Sequence, residues 1–160
     1  MEFDRIRRPF EPTIRRLLHF YWRFARGLTM GVRGVVIDAE GRVFLVKHSY
    51  VTGWYLPGGG VEVGETLNAA LLRELREEGN IELDGPPSFF AVYFNHRVSR
   101  RDHVALYVVR SFRQSAPPQP NGEIVAYGFF APDSLPEDTT RGTRERLAEV
   151  LEGRPVAEFW

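Results

Sequence analysis

Glu65, Glu74, Glu77 and Glu78 follow the glycine run Pro57-Gly58-Gly59-Gly60 within the stretch "PGGGVEVGETLNAALLRELREEGNI". Thr66 can cap a helix running to about Gly79, and Glu65 then stands beside the positive end of its dipole. At about 100° per residue, Glu74, Glu77 and Glu78 share one narrow face of that helix, being related as i, i+3 and i+4. Leu71, Leu72 and Leu75 fill the adjoining arc and pin the helix to a core, which leaves the carboxylates at the core's edge. Like charges so spaced repel, so the cluster calls for a cation or for a merely solvated face. The glycine run favours the cation. It forces an irregular backbone that exposes carbonyls, and carbonyl plus carboxylate oxygens are what magnesium or manganese takes, together with phosphate oxygens and water.

The rest of the chain must hold that helix. At 160 residues with 43% apolar content it reads as a single domain over 1–160 with a proper core. The 21 basic and 21 acidic residues cancel, so no basic field points to nucleic acid. The absence of cysteine excludes disulfides, zinc thiolates and thiol nucleophiles. No apolar run is long enough to cross a bilayer, and the first thirty residues lack a signal-peptide core, so a cytoplasmic protein without a membrane partner is expected.

Residues 12–28 place Ile14, Leu17, Leu18, Tyr21, Ala25 and Leu28 at helical spacing with arginines opposite. An amphipathic N-terminal helix is expected there, packed on the domain or in a homodimer interface. The runs "GVRGVVID" and "RVFLVKH" flank Ala39-Glu40-Gly41 and are expected to pair antiparallel. "SFFAVYFN" and "HVALYVVRSFR", joined by the polar loop 96–102, and then "EIVAYGFFA" are further strands. A last helix fits 139–152, capped by Thr139 or Thr140 and ended by Gly153. The expected fold class is α/β in the α+β sense, a mixed β-sheet sandwiched between helices.

Gly59, five residues, Glu65, seven residues, then Arg73-Glu74-Leu75-Arg76-Glu77-Glu78-Gly79-Asn80-Ile81 resembles the signature of the Nudix hydrolases. The resemblance extends over roughly residues 30–137 and includes "GEIVAYGFFAPDSLP", where many members carry another acidic residue, here Glu123. One position departs: Asn80 stands where the signature has its second glycine, and Asn is the next best residue for a left-handed helix end.

The resemblance implies hydrolysis of a nucleoside diphosphate linked to another group, water attacking one phosphorus. It implies Glu74, Glu77 and Glu78 as ligands of Mg²⁺ or Mn²⁺, with a carbonyl of Gly58 or Gly59 added. It also implies Arg73 as the residue orienting Glu74 or Glu65, and Glu123 or Glu74 as the base. Glu65 either takes part or only caps the helix. A nucleotide sensor without turnover is the alternative on the same scaffold. Residues 49–55 and 95–103 offer aromatic faces and arginines for a substrate, and Trp54 either stacks on a base or anchors its loop. Lys47 follows no glycine run, so there is no P-loop, and the four histidines are too scattered for a zinc site.

Overall fold

A computed structural model describes residues 27–118 and 122–160, together with Leu18 and Tyr21. In chain order the elements are β1 (Thr29–Val36), β2 (Val43–His48), α1 (Leu67–Gly79), β3 (Glu82–Leu83), β4 (Ser88–Phe94), β5 (Asp102–Val109), β6 (Phe112–Arg113), β7 (Ile124–Phe130) and α2 (Arg141–Glu152). One sheet has the order β1-β5-β4, with β1 parallel and β4 antiparallel to β5. β2 pairs with β7 and β3 with β6, both antiparallel.

The antiparallel pairing expected between the first two strands does not form. β1 runs parallel to β5, and Ile37–Val43 is its single bridge to the start of β2. Both edges of β1 are already taken. On the edge away from β5, Val32 N–H donates to Gly59 O, Gly34 N–H to Pro57 O and Val61 N–H to Met30 O, each at 2.9 Å. The glycine run therefore occupies the place that β2 would need. The turn itself is tight: Asp38 Oδ1 accepts from the backbone N–H groups of Glu40 and Arg42, which sends β2 off toward β7.

Alternation in the strands feeds two cores. Val32, Val36, Phe44 and Val46 pack with Ala70, Leu71 and Leu75 of α1, whereas Val35, Val43 and Leu45 pack with Leu106 and with Leu147 of α2. The sheets thus lie between two helices, as the apolar patterning requires. Each fully buried leucine contributes about 1.5–3 kcal/mol relative to exposure, and Leu71 and Leu75 together clamp α1 to β1.

The ends of α1 follow local rules. Thr66 Oγ1 accepts from Ala69 N–H at 3.1 Å, and Asn80 adopts the left-handed conformation at φ 49° while its N–H reaches Arg76 O. α2 starts on Thr140 and stops at left-handed Gly153. Of the helix expected over 12–28, Leu18 and Tyr21 are helical and exposed, and residues 27 and 28 are irregular. The rest of it lies outside the described residues.

Gly58 is where the backbone geometry is most demanding. Its φ is +137°, and a Cβ there would run into Val32 O and Arg33 Cα. Gly58→Ala is expected to lower the melting temperature far more than Gly60→Ala, where a Cβ meets open space. Thermal denaturation of the two variants side by side checks this.

Candidate functional site

The glycine run, pressed against β1, turns its backbone toward the carboxylate face of α1. Gly58 N–H donates to Glu78 Oε2 at 2.7 Å. Gly59 leaves no room for a side chain, because a Cβ would sit against the Glu74 carboxylate. A cavity of about 1060 Å³ opens here, and Gly58, Gly59, Glu74, Glu78 and Glu123 all contribute to its wall. Glu123 stands immediately before β7: Ser49 N–H donates to Glu123 O at 2.7 Å, beside the register shift between Lys47 and His48 where β2 meets β7.

Arg73 organises the acidic side. Its Nε and Nη2 donate to the two oxygens of Glu65, each at 3.1 Å, its Nη1 donates to Glu74 at 2.7 Å, and its Nη2 also reaches Gly60 O at 3.0 Å. A second, longer contact joins it to Glu77 at 3.4 Å. Glu65 is not part of the cavity wall. It holds Arg73, which in turn keeps its carboxyl below the usual range. Glu77 also stays out of the wall, with its side chain more than half exposed.

Glu78 is 7% exposed. Besides Gly58 N–H, its neighbour is His48 Nε2 at 3.5 Å, and burial lowers the affinity of that imidazole for a proton. Burial without a matched cation pushes the Glu78 carboxyl up to about 7, against the pull of Arg33 and of the Gly58 N–H. The Glu74 carboxyl is raised as well, by burial first, with Arg73 acting in the opposite direction. No three His, Asp or Glu side chains among the described residues stand together as a ready metal cage. Yet the donor set suits a hard divalent cation. Glu78 is a buried carboxylate whose charge is only partly compensated, and Glu74 and the free face of the glycine backbone adjoin the same space.

Arg33 is a charged side chain of the cavity that sequence reasoning missed. It lies on the cavity wall, donates Nη1 to Leu56 O at 2.8 Å, and its charge is felt by Glu74, Glu78, His48 and Tyr50. The signal was an arginine inside the apolar strand "GVRGVVI", at a position whose alternation carries it inward. Of the aromatic loop residues, Tyr50 and Tyr55 reach the cavity, as do Asn95, Arg97 and Val98 of the other loop. Trp54 does not line it. Its ring packs edge-on against Phe130 with centroids 4.9 Å apart, so it anchors the loop.

The NUDIX domain family matches residues 27–151. A MutT-like protein of Streptomyces ambofaciens is 30% identical over 125 residues, 78% of each chain. An RNA pyrophosphohydrolase of Methylococcus capsulatus is 38% identical over 58 residues, which is 36% of this chain and 30% of that one. The crystal structure of a MutT Nudix hydrolase from Burkholderia pseudomallei superposes with a TM-score of 0.65 at 28% identity, covering 76% of this chain and 97% of the other. Glycine run, capped helix and carboxylate cluster are thus found in a fold shared with these proteins, and the chain belongs to the Nudix family as an enzyme of the pyrophosphohydrolase type.

Proposed function

We propose that this enzyme hydrolyses the phosphoric anhydride of a nucleoside diphosphate linked to another group, using a divalent cation, Mg²⁺ or Mn²⁺. The observation that carries this reading is that buried Glu78 and partly buried Glu74, both with raised carboxyls, line one cavity with Arg33 and Glu123. Glu74 and Glu78 would hold the cation with a carbonyl of Gly58 or Gly59, and Glu77 would join them by turning in from its exposed position. When bound, the cation neutralises charge on the phosphate oxygens as the anhydride bond breaks.

The side chains of the protein do the remainder. Arg33 offers unused N–H donors to a non-bridging phosphate oxygen. Arg73 keeps Glu74 in place, since Nη1 donates to it. Glu123, on the cavity wall, is the proposed base: it takes a proton from the attacking water while the bridging oxygen leaves with the departing phosphate. Glu65 serves by positioning Arg73. Among the described residues no helix is long and apolar enough to cross a membrane. A small-nucleotide substrate, a cytoplasmic setting and a homodimer are the further elements of the proposal.

A panel of nucleoside triphosphates, sugar nucleotides and dinucleotides, incubated with and without Mg²⁺ and separated by chromatography to detect the nucleoside monophosphate and the second phosphorylated product, tests the reading. Turnover of at least one class that stops in EDTA is the expected result, and none at all would shift the scaffold to a nucleotide sensor. On the substrate found, Glu123→Gln is expected to lower kcat by about 10²–10⁴-fold, the usual worth of a general base, and to leave KM nearly unchanged. A loss confined to KM or to thermal stability would remove Glu123 from the chemistry.

A further inference from the structure

The segment after α2 lies beyond the family match, which ends at residue 151, and it is built into the cavity. Phe94 N–H donates to Glu158 O at 2.9 Å and Trp160 N–H to Phe94 O at 3.2 Å, so the segment adds to the free edge of β4. A buried polar group secures it. Arg146, 1% exposed, donates to Phe159 O at 2.9 Å and to Glu149 at 2.7 Å. Glu149 in turn accepts from Tyr93 Oη at 2.6 Å and from Ala157 N–H at 3.1 Å. Buried ionic groups of this kind add little net stability, but they do fix a geometry. What they fix is Trp160.

Its indole stands edge-on to Tyr93, with centroids 5.6 Å apart, and lies so close to the first turn of α2 that a Cβ at Gly142 would come within 2.8 Å of Nε1. Trp160 remains partly exposed and forms part of the wall of the large cavity and of a neighbouring one of about 320 Å³. Arg97 borders both cavities too and pairs with no carboxylate among the described residues.

The large cavity is lined by the carboxylates and Arg33, suited to a cation and phosphates, and also by Trp160 and Arg97, which come from different elements. Tyr50 and Tyr55 are the competing aromatics, but Glu78, Glu123 and Glu74 all act on the Tyr50 hydroxyl and the Tyr55 ring lies 5.8 Å from that of His48, the neighbour of Glu78, which places both near the carboxylates, and a nucleobase is separated from its β-phosphate by a sugar and another phosphate. We propose that Trp160 is the stacking platform for the substrate's nucleobase, so that the segment after α2 makes this enzyme select nucleosides over base-free phosphoric anhydrides. This rests on the nucleotide reading of the site.

The test is calorimetric titration, in Mg²⁺, of ADP, GDP, UDP and CDP and of inorganic pyrophosphate into wild type, Trp160→Ala and Trp160→Phe. Wild type is expected to bind at least one of the nucleotides more tightly than pyrophosphate. Trp160→Ala should weaken that nucleotide by roughly tenfold to a hundredfold, the range that a base–aromatic stack supplies, and leave pyrophosphate unchanged. Trp160→Phe should restore most of the difference. Equal weakening of nucleotide and pyrophosphate, no weakening of either, or no nucleotide preference in wild type would each overturn the proposal. Trp160-dependent nucleotide binding with no turnover in the substrate panel would support the subsite while removing the hydrolase reading.

Discussion

Glu78→Gln is expected to lower kcat by about three orders of magnitude and at the same time to stabilise the protein in EDTA. The loss reflects the several kcal/mol of charge stabilisation that a held cation supplies. The gain follows from linkage. Burial raises the Glu78 carboxyl to about 7 in the folded chain, above its value of 4.5 when unfolded. Between those two values the folded state holds a proton that the unfolded state has released, so stability falls as pH rises through this window. Above pH 7 the penalty is complete at about 3 kcal/mol, since each pH unit between the two values costs about 1.4 kcal/mol. Glutamine carries no such penalty, and its amide oxygen can still accept from Gly58 N–H. Metal-free melts at pH 5 and pH 8 check this: the variant should gain on wild type at pH 8 and nearly match it at pH 5. Added Mg²⁺ should stabilise wild type and leave Glu78→Gln nearly unmoved. A variant no more stable than wild type at pH 8 in EDTA would show that Glu78 is better compensated than its surroundings indicate.

Arg73→Lys is the second change with a large expected effect. One guanidinium holds both oxygens of Glu65, one oxygen of Glu74 and the Gly60 carbonyl. An ammonium cannot reproduce that planar fork, so the charge survives and the geometry does not. Glu74 would then swing freely, and kcat should fall by about 10²-fold, the order that a displacement of about 1 Å costs. The apparent affinity for Mg²⁺ should fall with it, measured by calorimetry without substrate. If Arg73→Lys keeps both kcat and Mg²⁺ affinity, Arg73 is a surface ion-pair residue and Glu74 is held by packing alone.

What could be read from the sequence was what local physics decides. Thr66, the leucines of α1 and Asn80 each act within a turn or two of themselves, so both ends and the buried face of the helix were legible, as were Thr140 and Gly153 around α2. The hairpin of β4 and β5 was legible through its polar loop. β1 was not. Its parallel partner begins at Asp102, and its other edge is filled by an irregular glycine segment, and neither leaves a mark on the β1 sequence itself. The site divides in the same way. The carboxylates share a helix face and announce themselves, whereas Arg33 depends on alternation in a strand and Trp160 on a segment folding back across β4. Whether Trp54 stacks on a base or anchors its loop was a question of long-range packing, which composition cannot answer.

In the proposed chemistry, carboxylates around this cavity direct water to a phosphorus of an anhydride. Hydrolysis in ¹⁸O-labelled water with Mg²⁺, with the products weighed by mass spectrometry, addresses it most directly. One ¹⁸O should appear on one phosphate-containing product per turnover, in wild type and, at a much lower rate, in Glu123→Gln. Product carrying no ¹⁸O on phosphorus, or label incorporated at the sugar carbon instead, would contradict it.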